Sequence, residues 1–270
     1  MSASNRINVQ IFPDLEGISR KASEIFLNLS EHFISLADRF TIALSGGRTP
    51  FLLYSLLESE YFLNTLNWKR IHFFWADERC VPANDHKSNF RLAFETFLSR
   101  APVPEKNIHR IKGEKEPEKA ASDYATEIRD FFGGSYLPVF DCVILGMGED
   151  GHIASIFPGS ELLADTLRIA APVHMIKPET DRISLTLPVL NNAAHLLVLV
   201  SGKSKARVLK SVFEKRNRKV NPPARFLKPV HGDITWLIDK EAAQCLSDER
   251  SELHDNCFRI SGQNRLKQQG

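Results

Sequence analysis

Four short apolar runs constrain what this chain can fold into: Phe40–Leu44 (FTIAL), Ile71–Trp75 (IHFFW), 139–145 (VFDCVIL) and 196–200 (LLVLV). A strand that is apolar on both sides has no solvent face. Such runs therefore read as buried strands of a parallel sheet covered by helices, not as surface hairpins. Two of them pass straight into small residues and then a helical pattern, Phe40–Leu44 into Ser45-Gly46-Gly47 and 196–200 into Ser201-Gly202-Lys203. Strand, small-residue turn and helix in that order describe α/β architecture. Ligands of open α/β sheets bind beyond the carboxyl ends of the strands, so these turns are where chemistry is expected.

The turn after 139–145 is the richest, reading GMGEDGHIASIFPGS from Gly146 to Ser160. Gly146, Gly148 and Gly151 satisfy the G-x-G-x-x-G pattern of dinucleotide sites. Glu149 and Asp150 oppose that reading, because two carboxylates inside the turn would repel the pyrophosphate that the helix start must attract. Asp150 and His152 are the reactive pair instead. An imidazole titrates near 6.5 and is a neutral base near pH 7, and a carboxylate beside it can hold its tautomer and stabilise the imidazolium. None of the nine histidines forms H-x-H or H-E-x-x-H, and no G-x-S-x-G occurs, so neither a metal site nor a serine nucleophile is indicated.

Along the rest of the chain, Ile18, Ala22, Ile25, Leu29, Phe33 and Leu36 mark an amphipathic helix. Thr49 is expected to cap a helix through Leu57, with Pro50 as its first residue. Further helices are expected over 88–98, 116–132 and 241–246, and one through Leu209 and Phe213 after the stretch 201–206. Further strands are expected at 167–173, 182–187 and 234–238, the second alternating through Ile183, Leu185 and Leu187, and a loop is expected over 217–232. With 270 residues, 43% of them hydrophobic, the chain is read as a single α/β domain over 1–247 and a basic tail over 248–270. The net charge of +2 comes from Lys and Arg scattered along the chain, which implies no nucleic-acid partner. No apolar run approaches 18 residues and no export signal opens the sequence, so no membrane association is expected. Four cysteines without C-x-x-C spacing suit reduced thiols in the cytoplasm.

Five stretches together resemble one family: SGGRTP at Ser45, ADERCVPANDHKSN at Ala76, LGMGEDGHIASIFPGS at Leu145, RISLTLPVLNNA at Arg182 and SGKSKA at Ser201. The chain looks like a 6-phosphogluconolactonase, a group related to the glucosamine-6-phosphate deaminases. That resemblance implies a doubly wound, mostly parallel α/β/α sandwich with a smaller flanking substructure. It implies hydrolysis of 6-phospho-D-glucono-1,5-lactone in the oxidative pentose phosphate pathway, with no cofactor and no metal, and a sugar-phosphate lactone as the small-molecule partner. It assigns catalysis to His152 and Asp150, and substrate or phosphate binding to Gly46, Gly47, Arg79, Lys205 and Arg182. Asp77 and Glu78 are read as structural partners of Arg79. The alternatives are the related deaminase and a non-catalytic sugar-phosphate sensor. Deaminases resembling this chain continue the Asp-Gly-His motif as I-A-F-N-E-P, whereas Phe157 stands here in place of that carboxylate.

Overall fold

The computed structural model describes residues 7–176, 179–214 and 221–246. The tail expected over 248–270 lies outside the described residues. In chain order the elements are β1 (Ile7–Phe12), α1 (Leu15–Ala37), β2 (Phe40–Leu44), α2 (Arg48–Leu57), α3 (Glu60–Thr65), β3 (Ile71–Trp75), β4 (Asp77–Arg79), α4 (Asn89–Ala93), α5 (Pro117–Phe131), β5 (Cys142–Gly146), β6 (Ala170–Val173), β7 (Arg182–Leu185), α6 (Leu187–Asn191), β8 (His195–Val200), α7 (Ala206–Phe213), β9 (Asp233–Asp239) and α8 (Lys240–Ala243).

Six strands form a parallel sheet in the order β1-β9-β8-β5-β2-β3, with helices on both sides. From β2 the chain moves outward to β3, and from β5, on the other flank of β2, it moves the opposite way through β8 to β9. The carboxyl ends of β2 and β5 therefore border the point where the winding reverses, which is where an open α/β sheet leaves a crevice. Gly46-Gly47 follows β2 and the Asp150–His152 turn follows β5, so both overlook it. The smaller substructure is an antiparallel sheet of β4, β7 and β6. One apolar cluster joins the layers, with β2 buried throughout and Ile18, Ala22 and Phe26 of α1 among the packed side chains. Burying one such Phe stabilises the fold by roughly 1.5–3 kcal/mol.

Several local expectations shift for identifiable reasons. Helix α2 begins at Arg48, capped by the Gly47 backbone, and Thr49 and Pro50 fall inside its first turn. Strand β5 starts only at Cys142, because the Asp141 carboxylate accepts from Thr41 N–H at 2.7 Å and from its hydroxyl at 2.8 Å, tying the strand entrance to β2. Leu187 leaves the sheet and opens α6, since Thr186 instead caps that helix and accepts from Leu190 N–H at 3.0 Å. The alternation Ile183, Leu185, Leu187 cannot distinguish a strand's end from a buried helix start. Beyond Ser88, α4 runs only five residues before passing into a π-helical turn, Phe94–Leu98. Four elements were not anticipated: the half-buried edge strand β1, the short helices α3 and α6, and β4, whose Asp-Glu-Arg sequence carries no strand pattern.

Candidate active site

The turn after β5 is built around the Asp150 carboxylate. Its Oδ1 accepts from His152 N–H at 3.0 Å and lies 2.6 Å from His152 Nδ1, so the i, i+2 pair expected from sequence is in contact. Gly148 N–H donates to His152 O at 2.9 Å, closing the turn from the other side. Burial acts to raise the Asp150 carboxyl, but the bonds and charge from His152 outweigh it and hold the group below the usual carboxylate range. An ionised carboxylate can only accept, so Nδ1 carries the proton and the lone pair is left on Nε2. A Cβ on Gly148 would stand 2.1 Å from His152 Nδ1 and 2.6 Å from Asp150 Oδ1, so only glycine leaves room for this pair.

The β2 turn is fitted just as closely. A Cβ on Gly46 would lie 1.8 Å from Asn89 Oδ1, and Gly47 has φ 102°, in the region that favours glycine. Asn89 is itself held by donation to Asp77 O at 2.9 Å and to Asp77 Oδ1 at 3.2 Å. Ser45 Oγ donates to Ile144 O at 2.8 Å, and the Tyr54 hydroxyl donates to Ser45 O at 2.5 Å. Asn89 was missed by sequence reasoning although it ends the ADERCVPANDHKSN stretch, because its role is a contact with a distant glycine.

The turn after β8 carries Lys205. Asp239, at the end of β9, accepts from Ser201 Oγ at 2.5 Å and from Gly202 N–H at 2.9 Å, which clamps the turn. No sequence signal marked Asp239. Burial, reinforced by the Arg48 charge, moves the Lys205 ammonium below its ordinary value; Glu149, 3.9 Å away, opposes the change.

Arg79 and Arg182 are register partners across β4 and β7. Each has a buried Nε without a hydrogen-bond partner among the described residues. Arg79 Nη1 donates to Lys87 O at 2.5 Å. Burial first, and then the Arg79 charge, lowers Arg182 below the usual guanidinium range. Two like charges with spare donors in one cleft are suited to an anion. Asp77 and Glu78 are expected from sequence as partners of Arg79, but among the described residues neither forms an ion pair with its guanidinium, and Asp77 lines the same cleft. Glu78 instead accepts from the Arg79, Asn89 and Phe90 backbone N–H groups at 2.7–2.8 Å and from Ser88 Oγ at 2.9 Å, organising the start of α4. Burial raises its carboxyl in spite of those bonds. Asp77 accepts from Ser155 Oγ at 2.6 Å.

Gly46, Gly47, Arg79, His152, Arg182 and Lys205 all line one cleft of about 440 Å³, with Asp150 directly behind the imidazole. Arg48, not singled out from sequence, lines it too. Among the described residues no group of three or more His, Cys, Asp or Glu is arranged to hold a metal ion, and no helix is long and apolar enough to cross a membrane.

Residues 13–236 match the sequence model of the family described as glucosamine-6-phosphate isomerases/6-phosphogluconolactonase. The chain belongs to this family. Family members resembling it include the Arabidopsis thaliana protein named 6-phosphogluconolactonase 3, chloroplastic, 34% identical over 247 residues, which are 88% of this chain and 75% of that one. The 6-phosphogluconolactonase of Synechocystis sp. is 37% identical over 209 residues, covering 76% of this chain and 84% of its own length. Among solved structures, the 6-phosphogluconolactonase from Trypanosoma cruzi has a TM-score of 0.80 at 32% identity and covers 92% of this chain and 98% of that chain. The doubly wound α/β architecture expected from the motifs is thus the family's own.

Proposed function

We propose that this chain hydrolyses 6-phospho-D-glucono-1,5-lactone to 6-phospho-D-gluconate in the oxidative pentose phosphate pathway, with His152 as general base. Support comes above all from the 2.6 Å contact between Asp150 and His152 Nδ1, which leaves Nε2 basic at the wall of a cleft rich in cations. Nε2 takes a proton from water as the water oxygen attacks the lactone carbonyl carbon. The tetrahedral intermediate then expels the ring oxygen, and the imidazolium returns the proton to that alkoxide. Asp150 stabilises the imidazolium between the two steps. Gly46, Gly47, Arg79, Arg182 and Lys205 hold the sugar phosphate, through backbone N–H groups at the start of α2 and through paired and single charged donors. Neither cofactor nor metal enters these steps.

The relatives named above are lactonases, and Phe157 occupies the position where the related deaminases keep a carboxylate, which weighs against the deaminase. A sugar-phosphate sensor would have no use for a paired Asp150 and His152. We place the reaction in the cytoplasm, consistent with the free thiols of Cys80, Cys142 and Cys245. The test is lactone hydrolysis by purified protein, measured above the spontaneous rate. His152→Ala should lower kcat about 100-fold or more with little change in KM; a near-normal kcat would remove His152 from the mechanism.

A further inference from the structure

Phe157 is not used by the mechanism above, yet it touches two of its parts. Its ring centroid lies 4.6 Å from that of His152, at an interplanar angle of 44°. The Arg182 guanidinium carbon stands over the same ring, 5.5 Å from its centroid. This placement is enforced by the preceding turn. Ile153 and Ile156, both fully buried, pair with each other, and Ile156 N–H donates to Ile153 O at 2.8 Å. Ser155 is anchored by Asp77 at 2.6 Å and by Ser184 Oγ at 3.2 Å. Ala154 accepts φ 46°, a left-handed conformation costing roughly 1 kcal/mol or more for a residue with a Cβ. The chain is thereby doubled back so that the fifth residue after the histidine lies against the histidine itself.

Resting on the lactonase assignment, we propose that Phe157 is a positioning residue: its ring fixes the imidazole of His152 and the guanidinium of Arg182 against one aromatic surface and favours the imidazolium formed when water is deprotonated. An aromatic ring attracts a cation placed near it, and that attraction is absent for neutral imidazole, so the contact strengthens as the proton arrives. Charged groups facing the same cleft are Asp150 behind the imidazole, Arg182 on β7, Arg48, Asp77, Arg79 and Lys205, the last 3.9 Å from Glu149. Substitution at 157 removes none of these charges, although Arg182 loses the ring it stands over.

The experiment compares Phe157→Leu and Phe157→Met, which keep apolar volume and lose the aromatic ring, with Phe157→Tyr, which retains it. Leu and Met should each lower kcat about threefold to fivefold, the factor expected of one partly exposed cation–aromatic contact, and raise KM by a similar factor as Arg182 loses its support. The acid limb of the pH–rate profile should move down by about half a pH unit, because the imidazolium is then less favoured. Tyr should behave as wild type. In parallel, the His152 imidazole is titrated by NMR in the substrate-free protein, where the same downward displacement should appear even if the lactone proves not to be the substrate. An unchanged His152 titration in both Leu and Met overturns the proposal. So does a Tyr variant as impaired as Leu, which would reduce Phe157 to packing. If Leu does not fold, Met carries the comparison.

Discussion

Gly146 closes β5 and Gly148 lies in the turn that follows, and a methyl group added to each should do something different. In Gly148→Ala the new Cβ would sit 2.1 Å from His152 Nδ1, against the 3.4 Å at which ordinary contact begins, so the imidazole must retreat by more than an ångström. Asp150 Oδ1, 2.6 Å from the same point, is pushed as well, and the bond that fixes the tautomer is lost. A misplacement of about 1 Å in a reacting group costs on the order of 100-fold in rate, so kcat for lactone hydrolysis should fall by about that factor. The fold should barely register the change, because Gly148 has no positive φ to forfeit; the melting temperature should move by no more than about 2 °C, as for a change of roughly 0.5 kcal/mol. Gly146→Ala is the control, since a Cβ there meets nothing within 4 Å. Kinetics and thermal melting of the two variants side by side check the reasoning. It is refuted if Gly148→Ala keeps kcat within a factor of about three, the range of one weak contact, or if Gly146→Ala loses as much.

Other outcomes follow from the same geometry. Lys205→Ala and Arg79→Ala should each raise KM about tenfold or more, as charge-assisted bonds to phosphate are lost, with a smaller effect on kcat; equal efficiency of the wild type on phosphorylated and unphosphorylated gluconolactone would contradict the phosphate site. Glucosamine 6-phosphate should inhibit competitively yet release no ammonia, because Phe157 cannot relay a proton for His152; steady ammonia release abolished by His152→Ala would reassign the protein to the deaminases. Away from the cleft, His72 Nδ1 is 3.2 Å from His109 Nε2, and His109 Nδ1 is 2.9 Å from Glu127. Burial first, then the charges of His109, Arg39 and Lys106, lowers His72 from 6.5 to about 4. As pH falls the unfolded chain takes up the proton first, so stability present above 6.5 is lost progressively toward about 4. His72→Gln should flatten the dependence of the denaturation midpoint on pH in that window, and an unaltered slope would show that another group is responsible.

Much of the scaffold and half of the site could be read from local sequence. Phe40–Leu44 and Ile71–Trp75 emerge with the boundaries expected, because a strand buried on both faces has to be apolar at every position. Asp150 and His152 could be paired by inspection because their contact forms within one turn, where the spacing along the chain is also the spacing in space. What the sequence could not supply depends on closure of the two sheets. Asp77–Arg79 becomes a strand only by pairing with Arg182–Leu185, and that register sets Arg79 opposite Arg182. Asn89 meets Gly46 across 43 positions of chain, and Asp239 reaches back to Ser201 across 38. Such contacts follow from strand order and the packing of distant elements, and hydrophobic period and turn chemistry describe only a residue's near neighbours.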